Sequence, residues 1–335
     1  MMSDTYPLGK LPPDVLAAIL ARHPLTDPRV LIGPRSGEDA AVIDLGGQLL
    51  VTKIDPITFA SDEIGWYVVN VNANDIATMG AKPAWFMAAL LLPQGQTSRD
   101  LVERIFDQIS QACAALGVTL VGGHTEITYG IDRPIVVGSM FGLTDREHLV
   151  TTAGAQPGDV LIITKGFPIE ATAIIAREKR AMLAATLPAD FLDRCAGYLH
   201  QPGISVVRDA QIAAQAGRVH AMHDPTEGGL ATGLWEMADA SAKRLSVDYR
   251  KALLEDSQTI CAAVGLDPLG AIASGSLLMA VHPDDARAIS AALEAGGIAA
   301  YNIGRVEDGP AQVMDSSDGR VLHRPARDEI ARLFE

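Results

Sequence analysis

Cysteine is scarce in this sequence. Cys113, Cys195 and Cys261 are the only three, odd in number and widely separated, which excludes a disulfide framework and a zinc knuckle. Positive charge is short as well. Lys and Arg total 27 against 41 Asp and Glu, a formal net charge of −14, and that excludes a nucleic-acid or anionic-membrane surface, both of which need clustered cations. A nucleotide such as ATP needs only a few local contacts and stays open. No apolar run reaches the roughly 18 residues of a membrane span, and the start MMSDTYPLGK lacks a signal-peptide pattern, so the expectation is a cytoplasmic protein without a membrane partner. The phosphate-loop pattern GxxxxGK[ST] is missing, which excludes that class of nucleotide enzyme as far as a motif can.

What is present is ordinary globular composition, 48% hydrophobic and 20% charged, over 335 residues. That length exceeds one ordinary core and predicts two domains. A composition shift at TTAGAQPGD, residues 151–159, places them at 1–152 and 153–335. The first 150 residues read as a β–βαβ–αββ series, a mixed sheet covered by two helices. Beyond the boundary VLII opens a second α/β unit, giving an α/β (α+β) fold in two domains.

The chain is organised around residues 50–93. An apolar strand ends in Lys53 and Asp55, and a helix follows, with Ser61 as its expected N-cap, Asp62 and Glu63 in its first turn and Gly80 and Pro83 as its stop. Ile64, Val68 and Val71 form an apolar stripe whose next member is Asp75. An inward carboxylate needs a cation or a dense set of donors; the alternative is an interior Asp capping the following turn. Upstream, the glycine-bearing loop at residues 33–41 ends in Glu38 and Asp39, hard oxygen ligands for a cation or parts of a solvated turn.

Two further stretches carry chemistry. Ser98 opens a helix with Leu101, Ile105, Ile109, Cys113 and Leu116 on one face and Gly117 at its close, so Cys113 reads as a packed thiol. The following residues 118–121 read as a buried strand running into Gly122, Gly123, His124, Thr125 and Glu126, where glycines permit close backbone approach by a ligand. In the second half, Asp224-Pro225-Thr226-Glu227 spells a helix start with a capping box. Gly228 and Gly229 within that first turn weaken a helix and leave room for phosphate oxygens at its N-terminus.

The motifs GEDAAV, KIDPIT, NANDIATMGAKP, LVGGHTE, DPTEGGLATGL and GLDPLGAIASGSLLMAV, in this order, resemble the aminoimidazole-ribonucleotide (AIR) synthetase superfamily. Within it they fit best the hydrogenase-maturation (HypE) branch; thiamin-monophosphate kinase and selenophosphate synthetase are other members. The resemblance implies two-domain subunits whose N-terminal sheets pair in a homodimer as a strand barrel, with ATP and Mg²⁺ bound between domains and subunits. Carried onto this chain, it implies metal ligands at Asp39, Asp55 and Asp75, with Glu126 a further candidate. It implies nucleotide contacts at Gly37, Asn74, Gly122, Gly123, His124, Thr125, Gly228 and Gly229, and Asp55 and Asp224 at the reacting centre. Lys53 and Lys165 are candidates for stabilising developing charge, unless each is an ordinary strand-end lysine. His124 stands where kinase and synthetase relatives carry an acidic residue. The tail HRPARDEIARLFE has no cysteine, whereas the hydrogenase-maturation branch works through a C-terminal one; carbamoyl dehydration is therefore not part of the expectation. The function expected is Mg-ATP-dependent phosphorylation or phospho-activation of a small-molecule oxygen, on an amide, hydroxyl or phosphate acceptor. The alternative is a HypE-like nucleotide-binding protein that serves a maturation partner protein or a regulatory role without turnover.

Overall fold

The structure is a computed structural model that describes residues 6, 9–34, 38–58, 60 and 62–334. Gly37 and Ser61, expected as a nucleotide contact and a helix cap, lie outside the described residues.

Twelve strands form two six-stranded mixed sheets among the described residues. The first contains β1 (Val30–Ile32), β2 (Ala41–Asp44), β3 (Leu49–Ile57), β4 (Lys82–Pro93), β5 (Thr119–Thr128) and β6 (Ile135–Thr144), in the spatial order β1-β2-β3-β6-β4-β5. Only β4 and β5 run parallel, because α3 (Arg99–Leu116) crosses over between them. Ser98 caps α3 as expected, its Oγ accepting from the Leu101 amide at 3.2 Å, and Gly117 closes it in the left-handed conformation. The α3 stripe is inward, with Cys113 buried and its thiol pushed up to about 11 by that burial.

Helix α2 (Ile64–Thr78) packs between this sheet, α3 and the second domain, and it is buried on nearly every side. Asp62 and Glu63 do not occupy its first turn. They precede it, Glu63 at the N-cap position with positive φ and no side-chain cap, and both pair with Arg177 of the second domain.

One face of the first sheet is covered by α2 and α3; the other is open. Phe86, Leu90 and Leu92 point into the core, while Trp85, Met87, Ile54 and Val121 are exposed. The expectation of a buried strand at 118–121 is corrected here: Thr119, Leu120 and Val121 lie exposed on β5, the edge of the sheet. The apolar run is real, but among the described residues of one chain nothing covers it.

The second sheet contains β7 (Val160–Thr164), β8 (Val219–His223), β9 (Arg244–Val247), β10 (Leu278–Val281), β11 (Ala300–Glu307) and β12 (Gln312–Asp315), ordered β12-β9-β11-β7-β10-β8. Strands β7 and β10 are apolar almost throughout and buried on both faces, as an interior strand requires. Helices α4 (Ile169–Glu178), α5 (Arg180–Leu183), α6 (Ala189–Ala196), α7 (Val207–Ala216), α9 (Glu255–Ala263) and α10 (Ala286–Ala295) pack with α2 in one continuous core, α8 (Gly229–Ser241) belongs to a second core, and α1 (Pro13–Leu20) precedes β1.

Candidate active site

Three buried carboxylates meet where the two domains touch. Asp39 ends the loop before β2, Asp75 sits in the last turn of α2, and Asp224 follows β8 in the second domain. One oxygen from each lies within 4.8 Å of the others. Asp39 Oδ2, Asp75 Oδ2 and both oxygens of Asp224 have no hydrogen-bond partner, which leaves bare acceptors in a low-dielectric site. That is an unfavourable arrangement for the protein alone and a fitting one for a hard cation.

Lys53 is the only amine at the cluster among the described residues. Its Nζ lies 3.3 Å from Asp75 Oδ1 and 3.3 Å from Asp55 Oδ2. Burial works against its charge, but the carboxylates of Asp75, Asp55, Asp39 and Asp224 outweigh burial and keep it protonated. For Asp75 and Asp224 the balance is reversed: desolvation first, then neighbouring carboxylates, raise both well above the usual range despite Lys53. One proton or one cation relieves the same strain.

Two neighbours hold this geometry, and sequence reasoning gave neither a role. Asn72 accepts from the Asp55 amide at 2.9 Å and donates to the Asp55 carbonyl at 3.3 Å, fixing β3 against α2. Gly138 makes the space, since a Cβ there would lie 2.6 Å from Asn72 Nδ2. His223 bridges Asp39 Oδ1 (2.7 Å, through Nδ1) and Glu236 Oε2 (2.9 Å, through Nε2). Burial alone would neutralise this imidazole; the carboxylates on either side more than reverse that.

The other expected residues are placed as follows. Asp55 stands at the mouth of the cluster, paired with Lys53, outside the tight triad. Gly122, Gly123, His124, Thr125 and Glu126 lie on exposed β5, separated from β3 by β6 and β4. Glu126 pairs there with His124 at 3.0 Å, so a single chain does not bring it to the triad. Asn74 bonds across the domains instead: its amide donates to Ile204 O and accepts from Val206 N, both at 2.8 Å. The capping box at Asp224 is corrected. Helix α8 starts only at Gly229, and the Gly228 amide is capped by Asp328 from the C-terminal segment, at 2.6 Å. Gly228 and Gly229 both have positive φ, and a Cβ on Gly229 would lie 2.5 Å from Leu269 O; the fold itself requires them. Lys165 is tied to Asp209 at 3.2 Å inside the second domain, away from the triad.

Fold and site together define a class: a two-domain mixed α/β protein with a carboxylate cluster built from both domains. The chain belongs to the AIR synthase related family, whose N-terminal domain model matches residues 37–144 and whose C-terminal domain model matches residues 156–316. It is similar to a selenide, water dikinase of Nitratidesulfovibrio vulgaris, 30% identical over 339 residues, spanning 89% of this chain and 92% of that relative. It is also similar to a carbamoyl dehydratase HypE of Rhizobium leguminosarum, 28% identical over 269 residues, spanning 78% of this chain and 74% of the relative. Among solved structures, hydrogenase maturation protein HypE in complex with ATP superposes with a TM-score of 0.70 at 26% identity, covering 89% of this chain and 90% of that one. No described helix is long and apolar enough to cross a membrane.

Proposed function

We propose that this protein is a Mg-ATP-dependent enzyme that phosphorylates or phospho-activates an oxygen of a small molecule. The observation that carries this reading is the triad of Asp39, Asp75 and Asp224, whose oxygens converge from both domains without partners. Mg²⁺ is held by a few carboxylates together with water and phosphate oxygens, and this donor set fits it. When bound, such a cation supplies the positive charge that a polyphosphate needs on approaching an acidic site. The chain's own residues do the positioning. Lys53, kept charged by its neighbours, is placed to meet developing negative charge near Asp55 and Asp75. His223 and Asn72 fix Asp39 and the Asp55 backbone, so the ligand oxygens need not reorganise on binding.

The open sheet face supports a homodimer. Strand β5 is an edge exposed along almost its whole length, Val121 and Ile127 included, and Ile54, Trp85 and Met87 form an apolar surface on the open face that a second copy would cover. In such a dimer Gly122 to Glu126 would belong to a shared groove, not to the solvent.

The test is incubation with ATP and Mg²⁺ and a panel of amides, amines, sugar phosphates and thiamin phosphate. Substrate-stimulated ADP release is expected with one class. Nucleotide binding without any stimulated release would overturn the enzyme reading in favour of a nucleotide-binding regulatory protein.

A further inference from the structure

Outside the triad, the buried carboxylic acids among the described residues each have a partner of opposite charge or a set of amides, with one exception. Asp209 meets Lys165 at 3.2 Å, Asp159 meets His220 at 2.9 Å and Asp315 meets Arg250 at 2.7 Å. Asp328 accepts from the amides of Gly228, Ile272 and Ile330. The exception is Glu170, on the first turn of α4 and 4% exposed. Ser274 bonds it through its hydroxyl and its backbone amide, both neutral. Arg177, two turns along the same helix, is spent on Asp62, Glu63 and the Ala196 carbonyl. A buried carboxyl without a cation avoids the cost of its charge by keeping a proton.

Glu170 lies where the domains meet, sharing a wall with Ile57 and Val71 of the first. Tyr67, Asn70 and Asn74 follow one another on α2 at i, i+3 and i+7 and so share one side of that helix. On that side Asn74 bonds Ile204 and Val206 of the second domain. Tyr67 is buried there with no partner for its hydroxyl, and Glu170 is the foremost charge acting on it. None of the charged groups around Glu170 neutralises it. Asp328 and Glu227 oppose a carboxylate at this point. Asp55 lines the same wall but pairs with Lys53, and Lys10 on that wall lies against Glu236 and Glu227 and bonds Thr226 Oγ1 at 3.4 Å. Burial pushes the Glu170 carboxyl up to about 7 against the two Ser274 bonds, so this acid changes charge near neutral pH.

We infer that Glu170 is a proton-operated clasp between the two domains: neutral, it stays buried and holds the second domain against α2; ionised, it draws water into the contact and loosens it. The raised pKa sets the sign. The closed contact binds the proton more tightly than an opened one, so this contribution is complete below 4.5, the ordinary glutamate value, and is lost as pH rises through about 7. The triad spans the same contact, with Asp39 and Asp75 on one side and Asp224 on the other, so the clasp governs how firmly those carboxylates are kept together. The inference concerns the contact and holds whether or not a phosphoryl group is transferred there.

The experiment is amide hydrogen exchange on the full chain without nucleotide or Mg²⁺, from about pH 6 to about pH 8.5, with the intrinsic pH dependence of exchange divided out. For an acid moved from 4.5 to about 7 by closure, the open fraction of the contact should rise about tenfold over that range. The wild type is therefore expected to lose about tenfold more protection than Glu170→Gln in α2 and in residues 200–206, since the amide keeps the shape and never ionises. Strands β9 and β12, at the far edge of the second sheet, should change alike in both proteins. Ser274→Ala removes a donor to the ionised acid and should move the midpoint to higher pH, and it decides the matter if Glu170→Gln does not fold. Equal loss in wild type and Glu170→Gln, a midpoint unmoved by Ser274→Ala, or a Glu170-dependent loss spread evenly into β9 and β12 would each overturn the inference.

Discussion

Replacing Asp224 by Asn separates a cation site from a merely structural cluster, because the two readings differ in sign. The three ligand oxygens lie within 4.8 Å of one another. At that distance each pair of full charges repels by about 3.5 kcal/mol at an effective dielectric of about 20, so an ionised Asp224 would face about 7 kcal/mol from two ionised neighbours. Lys53 and proton uptake absorb most of this, leaving on the order of 2 kcal/mol for the substitution to recover. Asp224→Asn should therefore stabilise the metal-free protein and raise its Tm by a few degrees. Addition of Mg²⁺ or Mn²⁺ should then reverse the ranking. The wild type gains about 2.7 kcal/mol at a cation concentration 100 times Kd, and the variant, with one ligand fewer, gains much less. The sign with pH follows from the same cause. Burial raises the folded-state pKa of Asp224 above its unfolded value, so the native state keeps the proton longer. Metal-free stability then declines as pH rises from about 4 toward that folded pKa. The variant should lose part of this decline. Differential scanning calorimetry from pH 5 to 8, with and without Mg²⁺, measures all of it. A destabilised metal-free variant with an undiminished Mg²⁺ response would refute the argument and make Asp224 a structural carboxylate.

Three other outcomes follow from the geometry. Asn74→Ala should destabilise the protein by about 1–3 kcal/mol in urea denaturation, because it strands the Val206 amide and the Ile204 carbonyl at the domain contact. Asp315→Asn removes the charge and one of the two acceptor oxygens that Arg250 bonds, at 2.7 and 3.1 Å, and should cost about 1–3 kcal/mol at pH 7. Arg250 first, against some desolvation, holds the Asp315 carboxyl far below the usual range, so this contribution is complete above about pH 4 and fades as pH falls through the folded pKa; wild type and variant should converge in acid. Val121→Glu combined with Ile127→Glu on β5 should shift the sedimentation coefficient from dimer to monomer while costing no more than about 1 kcal/mol of stability, since both side chains are exposed in the single chain. A wild type that sediments as a monomer at micromolar concentration would remove the dimer instead.

Periodicity carried the fold a long way and the site only part of it. Apolar spacing located α3 with its Ser98 cap, the β4 run and the interior strands of the second sheet, since each side chain there answers to one local environment. The Asp75 stripe gave the right direction for a reason that turns out to be weak. Helix α2 is buried almost all round, so Asn70, Asn72 and Asn74 are as interior as Asp75, and the stripe could not separate a ligand from a clamp. What distinguishes them is the partner each finds. Asn72 and Asn74 satisfy both sides of their amides with backbone groups, whereas Asp75 keeps one oxygen bare.

The same distinction explains the misreading at residues 224–229. A capping box is a local pattern, and by local rules Asp224 should have bonded the helix it precedes. The helix is instead capped by Asp328, from a segment adjacent to it only in the folded chain. Asp224 is thereby released from capping and left with no partner for either oxygen. Its freedom is a product of the distant carboxylate that took over the cap, so removing Asp328 should reach the proposed metal site without touching it. Asp328→Ala is expected to leave the Gly228 amide open to Asp224 and to weaken Mg²⁺ binding, and Asp328→Asn to do so less, since its one acceptor oxygen can serve Gly228 N only by giving up the Ile272 and Ile330 amides that Asp328 Oδ1 bonds at 3.3 and 2.7 Å. Calorimetric Mg²⁺ titration of the two variants checks this, and Mg²⁺ binding unchanged by Asp328→Ala would refute it.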